Sequence, residues 1–289
     1  MNDPGVLLAK EHLSFSQGSL QDYLSCRRLF KNRYLLRLAW PAIQSEPVLE
    51  QEVYLRQGAL FHRMVQRLIV GVDADALEVS IQDDDLKRWW DNFLLSRDIG
   101  ELSLMKYPGF RLFPEITLTS SLNQNRLVAK CDLVVVSPAG EVTIFDWKTT
   151  RKKPSRETFS QRIQTHIYPY LVVRAGAFLN RGEPVKPEDV KMIYWFSDYP
   201  DKPEIFIYEE TEFLSDEKYL ETLVDDILDL PDDAFYKTEH VERCSFCVYR
   251  SLCERGIGAG KIGDPQYETA LLDHEDLDID FEQIPETAF

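Results

Sequence analysis

The chain has 289 residues and a formal net charge of −16, because 49 Asp and Glu outnumber 33 Lys and Arg. Its charged fraction of 28% and hydrophobic fraction of 44% are typical of a soluble globular protein. No stretch approaches the roughly 18 consecutive apolar residues of a membrane span, so the sequence predicts no membrane-spanning helix and no membrane partner.

The chain begins with Met1-Asn-Asp-Pro-Gly5, which lacks the basic-then-apolar layout of a signal peptide. We therefore expect a cytoplasmic protein, in which disulfides are unusual. Its five cysteines are expected to be ligands, core residues or reactive thiols.

The negative charge is unevenly distributed along the sequence. Residues 264–289 contain nine acids and no Lys or Arg, and residues 198–233 are also acidic. Basic residues cluster within 27–37 and 151–156. Because phosphate binding depends on the local field, the net charge does not exclude a nucleic-acid partner. Solvated surface faces are the alternative explanation of the basic clusters.

The first part of the sequence predicts helices. Ser19-Leu-Gln-Asp22 is typical of a capping box, and apolar residues recur after it at helical spacing as far as Leu38, with Cys26 inside this helix. A second helix is predicted from about residue 51 to 71, with Gly58 and His62 one turn apart. A short helix around residues 89–90 follows.

The middle of the sequence predicts strands over residues 113–120, 126–136 and 141–147, with turns at 123–125 and 137–140. A helix over about 157–176, strands at 192–197 and 204–208, and an acidic helix over 213–230 complete the pattern. This order predicts an α/β fold with a central mixed β-sheet flanked by helices. The expected segments are an N-terminal helical segment (1–50), a core (51–240), a cysteine segment (241–260) and a flexible acidic tail (261–289).

Two carboxylates and a lysine are predicted to converge at the end of the hairpin. Asp146 and Lys148 are two residues apart on one strand, so their side chains leave the same face, and Asp132 lies on the neighbouring strand about 5 Å away. Such a group suits Mg²⁺ or Mn²⁺, which take oxygen ligands and keep waters that leave room for a phosphate. An Asp-x-Lys pair alone is weak evidence, but the apolar flanks favour a buried site in which charges need partners or a metal.

The sequence around this group resembles the RecB-like PD-(D/E)XK nucleases. Phe145-Asp-Trp-Lys-Thr-Thr150 is similar to their core motif, Asp132 matches its upstream aspartate, His62 the helical histidine, and Gln164-Thr-His-Ile-Tyr168 the Gln-x-x-x-Tyr signature. The resemblance implies a restriction-endonuclease-like core. It also implies that His62, Asp132, Asp146 and the Trp147 carbonyl hold the metal, that Lys148 positions the attacking water, and that Gln164 and Tyr168 bind substrate. Glu115, Arg151 and Lys152 are further candidates. Ala129-Lys130-Cys131-Asp132 departs from the small, glycine-led approach of many relatives.

Four cysteines form a second candidate site. Cys244, Cys247 and Cys253 follow a Cys-x₂-Cys-x₅-Cys spacing, and Cys26 lies far upstream. Four thiolates suit either zinc or an iron–sulfur cluster, and spacing alone does not distinguish them. One early and three late cysteines resemble the iron–sulfur branch, including AddB-type and CRISPR-associated RecB-like exonucleases. That resemblance implies a [4Fe–4S] cluster joining the two ends of the chain. Cys131 is expected to be a buried small residue.

The sequence therefore predicts a metal-dependent DNA nuclease, an exonuclease on single-stranded or end-bearing DNA, in repair, recombination or defence. A helicase, a CRISPR protein or a recombination protein would be a separate partner chain. The alternative is a catalytically silent nucleic-acid-binding or scaffold subunit that retains the fold.

Overall fold

The computed structural model describes residues 10, 13–38 and 46–256. The predicted acidic tail, residues 261–289, lies outside these residues. The chain divides into two compact units. Unit 1 comprises the residues up to Val53, Ser121–Leu127 and the residues from Glu221 onwards. Unit 2 comprises Tyr54–Ser120 and Val128–Leu220.

Unit 1 begins with strand β1 (Ser14–Ser16) and helix α1 (Gln17–Ser25). Ser16 and Ser19 form a reciprocal capping box, so the helix begins at Gln17 and Ser19 is its third residue. The predicted capping role of Ser19 as first residue of the box is therefore wrong by one turn. Ser16 is the better cap because its extended backbone leaves its hydroxyl free to accept the Ser19 N–H.

The predicted continuous helix after Ser19 is also wrong, since Cys26 interrupts it. Cys26 has an extended backbone, with φ −164° and ψ 111°, between α1 and helix α2 (Arg27–Phe30). A π-helical turn follows at Lys31–Leu35. The break allows the Arg28 N–H to donate to the Tyr236 carbonyl at 3.1 Å, a tertiary bond that competes with the local helical pattern.

The later part of unit 1 packs on these helices. Phe30 stacks on Phe235 with ring centroids 6.4 Å apart, and Tyr23 packs edge-on against both rings. Short 3₁₀ segments lie at Asp232–Ala234 and Val241–Phe246. This aromatic cluster brings the Cys26 region and the C-terminal cysteine segment into one unit.

Helices on one side of unit 2 precede the sheet in sequence. They are α3 (Glu46–Ile69, which begins in unit 1), α4 (Ala74–Glu78) and α5 (Asp84–Ser96), followed by a 3₁₀ segment at Gly100–Lys106. Asp83 caps α5 by accepting two backbone N–H groups. Trp89 and Trp90 of α5 are fully buried, as expected for the apolar face of an amphipathic helix.

The sheet is mixed, as predicted. Its six strands are β1, which lies beside β3, together with β2 (Arg111–Leu122), β3 (Asn125–Val136), β4 (Val142–Lys148), β5 (Val190–Phe196) and β6 (Glu204–Ile207). β4 pairs antiparallel with β3 and parallel with β5, β5 pairs antiparallel with β6, and β2 pairs with β3. Every residue of β4 is buried, which is typical of a central strand covered on both faces.

The crossover from β4 to β5 contains α6 (Arg156–Ser160) and α7 (Ile163–Ala175). The single helix predicted over 157–176 is therefore wrong, because Arg162 is extended and caps a second helix. The Thr165 hydroxyl donates to the Phe159 carbonyl at 2.6 Å and stabilises this break. Short 3₁₀ segments at Gly176–Asn180 and Pro187–Asp189 lead into β5.

Helices cover both faces of the sheet. Trp195 of β5 stacks on Phe61 of α3, whereas the adjacent Tyr194 contacts Thr165 of α7 through its hydroxyl. Because successive strand residues point to opposite faces, α3 and α7 lie on opposite sides of β5. Helix α8 (Glu210–Asp229) follows β6 and continues into unit 1. Among the residues described, no helix is both long and apolar enough to cross a bilayer.

Candidate active site

Asp132 and His62 form the first part of the site. Nδ1 of His62 on α3 lies 3.1 Å from Oδ1 of Asp132 on β3. The backbone N–H of Trp147 donates to the other oxygen, Oδ2, at 2.8 Å. Leu133 of β3 pairs with Phe145 of β4, and the same antiparallel register, continued by one residue, places Asp132 opposite Asp146. The aspartate is thus fixed between a helix and the neighbouring strand.

Glu115 joins these two residues. Possible ligand atoms of His62, Glu115 and Asp132 all lie within 4.8 Å of one another, a separation that suits a single metal ion. Glu115 has a left-handed backbone with φ 52° inside β2, a conformation that costs an L-residue about 1–2 kcal/mol. Strain of this kind is commonly retained where it directs a functional side chain. Glu115 also forms an ion pair with Lys130 of β3.

Asp146, Lys148 and Gln164 form the second part of the site. Nζ of Lys148 lies 3.0 Å from Oδ2 of Asp146, and the two side chains are only 1% and 3% exposed. The Gln164 amide, in the first turn of α7, donates to Oδ1 of Asp146. A carboxylate accepts but does not donate, so the amide nitrogen has to face it. The buried charges are therefore paired, as burial in a sheet requires.

The pKa values of Asp132 and Glu115 are shifted in opposite directions. Burial raises the pKa of Asp132, but the attraction of His62, the hydrogen bonds from His62 and Trp147, and the charge of Lys148 outweigh it, so the pKa lies below its ordinary value. Burial and the charge of Asp132 raise the pKa of Glu115, and Lys130 offsets only part of this effect. Two carboxylates this close repel each other, and a cation placed between them would relieve that repulsion.

Gly58 sets how closely α3 approaches the end of β4. A Cβ on Gly58 would lie 3.0 Å from Oγ1 of Thr149, which is tighter than ordinary contact. One turn earlier, the Tyr54 hydroxyl donates to the Thr149 carbonyl. His62 is one turn after Gly58 on the same helix. These contacts therefore help to fix the distance between His62 and Asp132.

Comparison with known proteins identifies the family. The sequence profile of the PD-(D/E)XK nuclease superfamily matches residues 14–254, most of the chain. The chain belongs to the PD-(D/E)XK nuclease superfamily. It is therefore a nuclease by family, a class of hydrolase whose members act on DNA and generally use Mg²⁺ or Mn²⁺.

Solved structures give weaker likenesses. The crystal structure of SSO0001 has a TM-score of 0.40 and 12% identity, covering 88% of this chain and 87% of that one. A protein from Eubacterium rectale named "Putative exonuclease" has a TM-score of 0.42 and 15% identity, covering 78% of this chain and 87% of that one. Both scores lie below 0.5, so the superfamily assignment depends on the sequence match. No protein of curated function matches the chain.

The remaining predicted residues of this PD-(D/E)XK chain lie around the site. Tyr168 is one turn after Gln164 on α7 and, like it, is buried. Arg151 and Lys152 are exposed just beyond β4, and Arg151 also lies over the Tyr54 ring, 4.9 Å from its centroid. Trp147 contributes its N–H to Asp132, while the role predicted for its carbonyl stays a prediction.

Lys130 is a residue of the site to which the sequence assigned no role, although it stood out as a departure from the family pattern before Asp132. The sequence contains the signal, because Lys130 and Asp132 are two residues apart on β3 and their side chains leave the same face. Glu115, its partner in the ion pair, has a left-handed backbone, and an alternating pattern indicates neither that conformation nor the pairing.

The four predicted cluster cysteines all lie in unit 1 and are free thiols of intermediate exposure. Burial raises the pKa of Cys247 to about 12, with further contributions from Cys253 and Cys26. Burial and neighbouring cysteines, Cys26 among them, likewise raise the pKa of Cys244 and of Cys253. The thiols are therefore close enough to influence one another's ionisation.

The surroundings of the cysteines are cationic. The charges of Arg255 and Arg28 act on Cys253, and Arg33 acts on Cys247. Lys237 donates to the Cys253 carbonyl at 2.6 Å. Among the residues that the structure describes, no three of the cysteine sulfurs lie within 4.8 Å of one another. Cys131, in contrast, is fully buried in β3, as predicted.

Proposed function

We propose that this chain is a metal-dependent deoxyribonuclease that hydrolyses phosphodiester bonds in single-stranded DNA or at DNA ends, in repair, recombination or defence. The observation that carries the proposal is the ligand group of His62, Glu115 and Asp132 beside the buried pair of Asp146 and Lys148. Superfamily membership supports the reaction class.

The donor set fits Mg²⁺ or Mn²⁺. Carboxylate oxygens are the preferred ligands of both ions, and the spacing of the three side chains suits one ion. The lowered pKa of Asp132 keeps this ligand ionised at neutral pH. We assign Asp146 and the Trp147 carbonyl as the remaining ligands. A bound ion would act as a Lewis acid towards the phosphate.

Lys148 is the proposed catalytic cation. Its ammonium is almost fully buried, pairs with Asp146 and lies 5.8 Å from the centroid of the Tyr194 ring. A fixed charge in such a low-dielectric site stabilises charge that develops on a phosphate more strongly than a solvated one. The Gln164 amide on α7 donates a hydrogen bond to Asp146 and fixes the orientation of its carboxylate. Tyr168, on the same helix face, is proposed to contact substrate once DNA binds.

Phosphates flanking the cleaved bond need additional cations. Of the basic cluster after β4, Arg151 is paired weakly with Asp85 at 3.4 Å, and Lys152 is exposed. Lys153 is held by Glu204 on β6, at 2.5 Å. Lys152 and Arg151 are therefore the proposed contacts to the DNA backbone.

The test uses single-stranded DNA labelled at either end, the same strand closed into a circle, and a duplex, with Mg²⁺ or Mn²⁺. We expect the linear strand to be degraded and the circle to resist. Lys148→Met should lower the rate at least 100-fold, because it removes a buried charge next to the reacting phosphate. Lys191→Met is the matched control, since Lys191 is also a strand lysine in an ion pair, with Glu101.

Four results would contradict parts of this proposal. Full cleavage by both Lys148→Met and Asp146→Ala would exclude the assigned mechanism. Binding of DNA without cleavage under either metal would instead favour a catalytically silent subunit. Cleavage of the circle would replace the assignment of ends by internal cutting, and faster cleavage of RNA would replace DNA as substrate.

The cysteines are proposed to hold a [4Fe–4S] cluster. Four thiolates suit either zinc or an iron–sulfur cluster. The arrangement of one early and three late cysteines, which resembles the iron–sulfur branch, favours the larger cluster. The nearby Arg28, Arg33, Lys237 and Arg255 suit a site with net negative charge. Because a bound cluster contributes its binding energy to folding, its proposed role is structural.

Protein purified without oxygen tests the cluster. We expect about four iron and four sulfide per chain, with the broad visible absorbance of a [4Fe–4S] centre. Cys253→Ser should lose the iron, whereas Cys131→Ala, which changes the buried fifth cysteine, should retain it. Zinc without iron would overturn the cluster and leave the nuclease proposal intact.

A further inference from the structure

Each carboxylate of the candidate centre has an oxygen that another group of this chain already engages. Oδ2 of Asp132 accepts the Trp147 N–H at 2.8 Å. Oδ2 of Asp146 pairs with Lys148 at 3.0 Å, and Oδ1 of Asp146 accepts from the Gln164 amide. These contacts leave fewer carboxylate oxygens for metal ligation. They therefore limit the number of divalent ions that the centre can bind.

Glu115 differs from the two aspartates because its partner is a cation at the rim of the site. Oε2 of Glu115 pairs with Lys130, whose side chain is 30% exposed, against 17% for Glu115. Lys130 leaves β3 on the same face as Asp132. Its ammonium therefore lies directly against one oxygen of a carboxylate that belongs to the proposed ligand group.

A second divalent ion would need the oxygens that are engaged. Paired ions in nuclease centres lie about 3.5–4 Å apart, a separation at which a carboxylate joins them by giving one oxygen to each. Lys130 engages one oxygen of Glu115, and the Trp147 N–H engages the second oxygen of Asp132. An ion on the outer oxygen of Glu115 would have to displace the ammonium.

The charge of the centre supports the same conclusion. Three carboxylates and two ammonium groups, those of Lys130 and Lys148, leave one negative charge when His62 is neutral. One divalent ion reverses this to one positive charge. A second ion would leave three positive charges in a largely buried site, which Coulomb repulsion strongly opposes. Removal of the Lys130 charge would relieve part of that repulsion.

We infer that Lys130 is a positioning residue that holds Glu115 by one oxygen and takes the place of a second divalent ion, so that the centre binds one ion. The inference rests on the proposed metal centre. It assigns a role to this lysine that superfamily membership by itself does not supply.

The experiment counts bound Mn²⁺ on the full chain without DNA, from the electron paramagnetic resonance of the free ion. Ions that Asp132→Asn still binds are subtracted as background. The wild type and Lys130→Arg, which keeps the charge, should bind one ion at the centre. Lys130→Met should bind two, and Lys130→Met with Glu115→Gln should return to one. Lys191→Met, whose lysine is also 30% exposed and paired with Glu101, should stay at one.

The outcomes separate this inference from the proposed function. One ion in both wild type and Lys130→Met would overturn the inference and leave the metal centre standing. Two ions in the wild type would also overturn it. No ion in the wild type above background would overturn the metal centre and, with it, the inference. Lys130→Gln provides the same count if Lys130→Met does not fold.

Discussion

Gly58 is the position at which a single methyl group most directly tests how the fold holds the metal centre. In Gly58→Ala the new Cβ would lie 3.0 Å from Oγ1 of Thr149, whereas ordinary contact begins at about 3.4 Å. Thr149 is buried and its carbonyl accepts a hydrogen bond from Tyr54. Because Thr149 is held in this way, α3 has to move away from it by about 0.4 Å. His62, one turn further along α3, moves with it.

Two opposing terms set the magnitude for stability. Alanine in place of glycine within a helix stabilises by about 0.5–1 kcal/mol, and overpacking a tight contact costs about 1–3 kcal/mol. The net change in unfolding free energy of Gly58→Ala is therefore expected between zero and about 2.5 kcal/mol of destabilisation. Metal affinity should respond more, because ligand distances are held within about 0.2 Å. We expect about tenfold weaker Mn²⁺ binding and a similar loss of cleavage.

Calorimetric Mn²⁺ titration and thermal unfolding measure the two effects. Gly18→Ala is the matched control, because a Cβ there meets its nearest atoms at 3.9 Å or more, so it should leave Mn²⁺ binding unchanged. Thr149→Ala removes Oγ1 and should restore Mn²⁺ affinity to Gly58→Ala, whereas Thr149→Ser keeps Oγ1 and should not. Unchanged affinity in Gly58→Ala, or equal effects of the two Thr149 substitutions, would refute this reasoning.

Three further changes have direct expectations. Asp132→Asn should weaken Mn²⁺ binding by at least about 100-fold in calorimetry, because it removes a charged ligand of the proposed site; full binding would contradict the assignment. Cys253→Ser should lower the melting temperature together with the iron content, and iron loss at constant melting temperature would exclude a structural cluster. Burial raises the pKa of Glu204, but hydrogen bonds and charges from Lys153 and Arg156 outweigh burial, so the pKa in the folded protein lies below its ordinary value. The ion pairs therefore stabilise the folded protein above the pKa of Glu in the unfolded chain, about 4.3. This stabilisation is lost as the pH falls through the pKa of Glu204 in the folded protein. Glu204→Gln should cost about 0.5–1 kcal/mol at pH 7 and progressively less as the pH falls below about 4.3 in denaturant titrations, and a cost that does not change with pH would contradict the ion-pair explanation.

The α/β class and the central hairpin were predictable because local patterns and tertiary contacts agree there. A strand was predicted over residues 141–147 with apolar flanks at Val142, Ile144 and Phe145, and every residue of β4 (Val142–Lys148) is buried. The helix breaks at Cys26 and Arg162 were not predictable, because each depends on bonds outside the local pattern. The Arg28 N–H bonds a carbonyl more than 200 residues away, and the Thr165 hydroxyl bonds the preceding helix.

The candidate site was predictable to the extent that spacing determines it. Two-residue spacing on a strand predicted that Asp146 and Lys148 share a face, and they form an ion pair. The ion pair of Glu115 with Lys130 was not predicted, and neither was the left-handed backbone at Glu115, which no residue pattern encodes for a non-glycine residue. Sequence therefore indicates which residues form the site, and the backbone determines which of them touch.

The distribution of charge bears on how DNA would approach. Much of the basic cluster at residues 27–37 is already paired within unit 1, since Arg27 contacts Asp226, Lys31 bonds the Asp232 carbonyl and Arg33 pairs with Asp22. These cations therefore offset the acidity of their own unit before they can attract phosphate. The exposed cations just after β4 adjoin the proposed catalytic lysine directly. A chain with net charge −16 would then hold DNA through a few local contacts, so its binding should depend less steeply on salt than that of a protein with a broad basic face.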